Sequence, residues 1–287
     1  MDNPNDAARP APPAPAIRDN ALALERPSDD WELILGDGPV VATAIHDGHD
    51  MRESLLPHLA IGEDERRREE DPMTGLLTVV GDVRIRVRAS RFQVDLNRSR
   101  DMAISTNPAD TWGLQVWRGE LPPAELEQSL AGHDRFYEMI RGLLDDLIAK
   151  WGCVLLIDIH SYNHRRDGAD ADPAPQHGNP DIELGVTTLD PGRWGHVATR
   201  FAQVLRDTPV DGRSPDVREN IRFPTGGYFP EWVYANWGEQ VCTISPEYKK
   251  IYMDEWTAQA DIAVIEDFRA GLQNAVDAVR PEFMACR

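Results

Sequence analysis

The sequence has little cysteine. Cys153, Cys242 and Cys286 are the only three in 287 residues, too few for a disulfide framework and without the paired spacing of a structural zinc site. Cys153 and Cys242 lie inside apolar runs, where a free cysteine behaves as a small buried hydrophobe. Long apolar stretches are missing too. The longest, Cys153 to Ile157, has the length of a strand, far short of the roughly 20 residues that span a bilayer. The opening residues lack the basic start and apolar core of a secretory leader, so the cytoplasm is the expected compartment. Positive charge is scarce, with 30 Lys and Arg against 49 Asp and Glu and a net charge of −19. That balance repels phosphate backbones and anionic lipid, which argues against nucleic acid and membranes as partners. A local cluster of arginines can still reverse the sign of a pocket and admit an anionic small molecule.

What is present is ordinary globular material, 41% hydrophobic and 28% charged. Residues 1–28 are rich in Pro and Ala and too poor in large apolar side chains to offset the entropy of ordering, so they read as a disordered tail. Residues 29–287 read as one domain. Val40 to Ile45, bounded by Gly-Pro and Asp-Gly, reads as a buried strand. Met51 to Asp71 is compatible with helix, and the alternation from Thr78 to Val87 reads as a hairpin. Pro122-Pro123 opens a long helix to about Lys150, followed directly by a strand from Val154 to Ile159. Ile182 to Thr188 and Gln240 to Ile244 read as strands, and His196 to Arg206 and Trp256 to Val279 as helices. Strands interleaved with helices predict an α/β layer fold with a mixed, largely parallel sheet. A polar insertion, Gly168 to Asn179, follows a strand end, where loops shape or cover ligand sites.

His46 and His160 each terminate a buried strand, and both would leave the same edge of a parallel sheet. Asp158 lies two residues before His160, on the same side of the strand, and can orient its imidazole as metal ligands require. A catalytic zinc site of the His/His/carboxylate type takes two such histidines, a carboxylate and an open position for water. The carboxylate is sought in Glu69-Glu70-Asp71, with Asp71 and Glu70 both open. Glu247 follows the last strand at the same edge, where a carboxylate can take a proton from water and pass it to a leaving amine. Asn97-Arg98 sets an amide beside a guanidinium, whose fork pairs bidentately with a carboxylate. The glycines of Gly226-Gly227-Tyr228 let backbone approach a ligand.

The order His46-Asp47-Gly48, an acidic cluster, Ser90-Arg91-Phe92-Gln93-Val94-Asp95-Leu96-Asn97-Arg98, Asp158-Ile159-His160-Ser161, Pro180 to Gly185, Gly226-Gly227-Tyr228 and Tyr252 to Glu255 resembles the N-formylglutamate amidohydrolase family from about residue 40 to 257. The resemblance implies a carboxypeptidase-like (phosphorylase/hydrolase-like) three-layer α/β/α sandwich holding one Zn2+ per chain. It implies His46, His160 and Asp71, with Glu70 the alternative, as ligands, and Glu247 as the base. It further implies Arg91 at the oxyanion, and Asn97, Arg98, Gly226, Gly227 and Tyr228 around a small-molecule substrate that carries a carboxylate. The expected reaction is hydrolysis of a linear C–N amide bond, as in a deformylase. A peptidase of the carboxypeptidase kind, or a binding protein that kept the fold without turnover, is the alternative.

Overall fold

The computed structural model describes residues 29–286, so the tail expected over 1–28 lies outside the described residues. Eight strands form a mixed sheet: β1 (Trp31–Ile34), β2 (Val40–Ala44), β3 (Val83–Val87), β4 (Val154–Asp158), β5 (His160–Tyr162), β6 (Ile182–Gly185), β7 (Val217–Glu219) and β8 (Val241–Lys249). Their order is β1-β3-β2-β4-β8-β6-β7, with β5 beside the far end of β8. The β3-β2, β2-β4, β4-β8, β5-β8 and β6-β7 pairs are parallel, while β1-β3 and β6-β8 are antiparallel. The mixed, largely parallel sheet expected from the sequence is therefore present.

Among the described residues five α-helices accompany it: α1 (Glu63–Glu69), α2 (Pro123–Trp151), α3 (Pro191–Asp207), α4 (Tyr228–Trp237) and α5 (Ile262–Met284). The central strands are apolar on both faces because helices cover both, which is why they read as continuous runs. Val40, Ala42, Leu155, Ile157, Cys242 and Ile244 face one core, with Phe201 of α3 and Phe268, Leu272 and Val276 of α5. The alternate residues Val41, Ile85, Leu156 and Val241 face the other, with Phe136, Ile140 and Leu143 of α2 and Phe229 and Val233 of α4. Each fully buried aliphatic or aromatic side chain contributes about 1.5–3 kcal/mol.

Local chemistry sets the helix boundaries. Asp190 caps α3 by accepting from the Arg193 amide at 2.7 Å, with Pro191 next in line, and Asp261 caps α5 through the amides of Ala263 and Val264. Gly152 ends α2 at φ 81°, a left-handed conformation that suits glycine, and β4 begins two residues later.

Several boundaries differ from expectation. The hairpin expected over 78–87 is a 3₁₀ helix, Thr74–Val80, followed by the single strand β3. Leu77 and Val80 are buried three residues apart, the spacing of a helical turn, whereas the true alternation is confined to Val83, Ile85 and Val87. The 51–71 stretch holds only a short turn and α1. The last helix starts at Ile262, six residues later than the sequence pattern suggested. Cys153 is paired with Cys286, a bridge between residues 133 apart, so it is not the free hydrophobe expected. Cys242 alone stays a free buried thiol.

Candidate active site

Because β2, β4 and β8 run parallel, their carboxyl ends meet at one edge, and the connections leaving that edge carry the chemistry. His46 stands just past β2 and His160 opens β5, with ring centroids 4.9 Å apart. Asp71 comes from the segment that follows α1, and its amide donates to the His46 carbonyl at 2.9 Å. One Asp71 carboxylate oxygen lies 3.1 Å from His160 Nδ1 and 3.6 Å from His46 Nδ1. All three side chains are buried, and their ligand atoms lie within 4.8 Å of one another.

The second nitrogen of each imidazole is also held. His46 Nε2 lies 2.8 Å from Asp95 Oδ1, and His160 Nε2 lies 3.0 Å from Asp158 Oδ2. Asp158 accepts from the Thr43 hydroxyl of the neighbouring strand at 2.7 Å. Two imidazole nitrogens and a carboxylate, each imidazole fixed from behind by a carboxylate, form a donor set that suits a divalent transition metal. Burial works against the charge on Asp71, but the two histidines outweigh it and hold the carboxyl well below the usual range. Asp95 is likewise driven low, with burial opposed by Arg91 and His46.

Glu70 faces elsewhere. Its backbone is extended at ψ 174°, so Glu70 and Asp71 project to opposite sides. Its carboxylate is held by the His49 imidazole and the Ser90 hydroxyl. Of the two open candidates, only Asp71 joins the histidines. Asp47, next to His46, is turned to the Arg86 guanidinium and the Gly75 amide.

Glu247 stands opposite His160 in the parallel β5-β8 pair and opposite Glu183 in the antiparallel β6-β8 pair, which sets all three on one face of the sheet. Burial, tempered by His160 and reinforced by Asp71, Asp158 and Glu183, pushes its pKa up to about 8. Glu183 accepts from the amides of Arg222 and Phe223 at 2.6 and 2.7 Å and thereby seats that loop beside Glu247. A narrow cleft of about 30 Å³ opens there, lined by Glu247, Thr187, Phe223, Gly226 and Gly227 among others.

Arg91 donates to Asp95 at 2.8 Å and to the Glu69 carbonyl at 3.3 Å, which puts its guanidinium next to the carboxylate that holds His46. Arg98 Nε lies 3.5 Å from the same Asp95 oxygen that Arg91 reaches, and the Arg98 guanidinium donates to the Asp110 carbonyl at 2.6 Å. The Asn97 side chain accepts from the Phe229 amide at 3.0 Å, in the first turn of α4. Gly227 packs so closely on the Asn97 amide that an added Cβ would stand 2.3 Å from it. The Tyr228 ring meets Tyr137 at a tilt of 60°, with centroids 5.7 Å apart. The Asn97-Arg98 and Gly226-Gly227-Tyr228 segments, 130 residues apart in the chain, are thus in direct contact.

Three features were not legible beforehand. Asp95 sat in a quoted motif, but only the fold shows that it holds His46. Trp112, 48% exposed, has the guanidinium groups of Arg91 and Arg166 over its ring at 5.1 and 5.2 Å. The turn that joins β5 to the insertion is docked on the segment before α5: the amide of His164 donates to Glu255 at 2.6 Å, and the Trp256 indole to the Arg165 carbonyl at 2.8 Å.

A model of the N-formylglutamate amidohydrolase family matches residues 38–253. Among solved structures, an N-formylglutamate amidohydrolase from Ralstonia eutropha JMP134 is similar to this chain at a TM-score of 0.67 and 18% identity, over 88% of this chain and 99% of that one. A gene product of Agrobacterium tumefaciens is similar at 0.57 and 16%, over 88% and 96%. A putative carboxypeptidase A from Shewanella denitrificans OS-217 aligns more loosely, at 0.38 and 14%, over 88% and 61%. No curated protein matches the sequence.

Proposed function

The chain belongs to the N-formylglutamate amidohydrolase family, and from that premise we propose that it hydrolyses the amide bond of an N-formyl or N-acyl amino acid at a zinc site made by His46, Asp71 and His160. The observation that carries the reading is the meeting of these three buried side chains at the sheet edge where Glu247 also stands. When bound there, zinc supplies a Lewis acid and lowers the pKa of water.

The remaining work falls to the chain. Glu247 takes a proton from water and delivers it to the leaving amine nitrogen, a role worth about 10² to 10⁴ in rate. Arg91 offers its guanidinium to the negative charge that develops on the carbonyl oxygen. Arg98 receives the substrate carboxylate, and Asn97 sets the distance between that arginine and the Gly226-Gly227 backbone. Asp95 and Asp158 keep the imidazoles turned toward Asp71.

Metal content and turnover test this together. Protein prepared without chelator is expected to carry about one zinc per chain and to release formate from N-formylglutamate. Glu247→Gln, which keeps the shape and removes the base, is expected to keep its zinc and lose about 10² or more in kcat. Zinc-free protein that stays inactive when zinc is added would favour a binding protein instead.

A further inference from the structure

We propose that Lys250 is a positioning residue for Asp71: one buried ammonium joins the three chain segments that supply Asp71, His160 and Glu247. The inference rests on the metal-site reading above and extends it to a side chain that reaches neither metal nor substrate.

Lys250 is 1% exposed and follows Glu247 by three residues, just past the end of β8. Its Nζ donates to the Arg68 carbonyl at 2.7 Å, the Glu70 carbonyl at 2.6 Å and the Asn163 side-chain oxygen at 2.7 Å. An ammonium has three protons, and three acceptors meet it. Arg68 and Glu70 lie in the last turn and at the cap of α1, where helical carbonyls lack intrahelical partners and a cation complements the helix dipole. Asp71 is the next residue. Asn163 follows His160 by three residues, on the other strand-end segment of the site.

The sheet fixes His160 and Glu247 relative to each other, because they are paired in the β5-β8 ladder. Asp71 belongs to no strand. Its segment is held by the Asp71 amide on the His46 carbonyl, the Tyr252 hydroxyl on the Pro72 carbonyl at 2.9 Å, the Glu70 contacts to His49 and Ser90, the Arg91 guanidinium on the Glu69 carbonyl, and the Lys250 ammonium on the carbonyl just before Asp71. A charge buried to this degree is costly unless every proton is received. Here the charge serves main-chain carbonyls next to Asp71, where an apolar side chain of the same length would leave them unsatisfied. Without it, the Asp71 segment loses two of its anchors and the carboxylate loses its fixed place between the imidazoles.

The test is cobalt binding to full-length protein stripped of metal, read by the affinity and by the visible absorption band, which reports ligand geometry. In Lys250→Met the affinity is expected to fall about 10- to 100-fold, the usual cost of removing a support behind a metal ligand. The band should change shape while near-ultraviolet circular dichroism stays native. A folded Lys250→Met with the parent's affinity and band overturns the proposal. Should that variant fail to fold, Asn163→Ala decides: a several-fold loss with a changed band supports the role, and parent-like binding overturns it. Asp71→Ala run alongside separates the two levels. If Asp71→Ala loses cobalt while Lys250→Met binds normally, only the Lys250 role is lost. If Asp71→Ala binds like the parent, the metal-site reading falls and takes the Lys250 role with it.

Discussion

Reducing the bridge between Cys153 and Cys286 should lower stability without dismantling the site. The bridge joins the start of β4 to the chain beyond α5 and closes a loop of 133 residues. Cross-linking so long a loop removes about 5 kcal/mol of chain entropy from the unfolded state in the loop-closure model, against a typical measured gain of about 2–4 kcal/mol. Helix α5 does not depend on it, because Phe268, Leu272, Val276, Val279 and Phe283 are buried against the sheet and α3, and Phe283 stacks on Trp194 at 4.8 Å. A loss of about 3 kcal/mol with the helix still docked is therefore expected, a drop of about 5 °C in Tm for a chain of this size. Cys286→Ser is the cleaner perturbation, since Cys153 is fully buried and a hydroxyl there would add a polar cost. The assay is urea unfolding of the parent with and without reductant, beside Cys286→Ser with and without reductant. Denatured parent should show one titratable thiol, Cys242, before reduction and three after. Three thiols before reduction in air-oxidised protein, or identical urea midpoints in all four samples, would refute the reasoning. Disulfides persist in oxidising compartments and are rare in the cytosol. The same thiol count on protein taken from a reducing cytosol therefore also examines the compartment expected from the sequence.

Three further outcomes are expected. Asp71→Ala should abolish most zinc binding and Glu70→Ala should not, measured by metal analysis after gel filtration; equal loss would mean that the Glu70 cluster with His49 and Ser90 matters as much as the ligand. Arg98→Lys keeps the charge and loses the planar fork, so KM for N-formyl or N-acyl amino acids should rise markedly; equal hydrolysis of free-acid and amidated substrates by the parent would show that Arg98 clamps no carboxylate. Burial raises the pKa of Asp181, but Arg213, the Asp216 amide and Lys249 outweigh it and bring it to about 2. Its folded pKa is below the unfolded value of about 3.9, so its contribution is complete above about pH 4 and is lost as pH falls toward 2. Urea midpoints of Asp181→Asn should accordingly fall less steeply than those of the parent between pH 4 and 2, and parallel curves would contradict this.

The sequence alone determined the parts of this protein that depend on local pattern. Val40 to Ala44 and Val154 to Asp158 announce themselves as strands because both of their faces are buried, and a helix reads clearly from Pro123 because its apolar residues repeat at helical spacing. Once those strands are parallel, His46 and His160 must leave the same edge, so the two imidazoles of the site were legible as residues and as neighbours. Motif order carried the family. Tertiary structure decided what depends on contacts between distant segments. It chose Asp71 over Glu70, because an extended backbone sends adjacent side chains to opposite sides and only packing says which side holds the histidines. It gave Asp95 to His46, turned Asn97 toward the amide of Phe229 132 residues away, and brought Lys250 under the carbonyls of Arg68 and Glu70. It also paired Cys153 with Cys286, which no spacing rule in a three-cysteine chain reveals. Periodicity reports which face of an element is buried; it carries no information about which distant side chain will be found there.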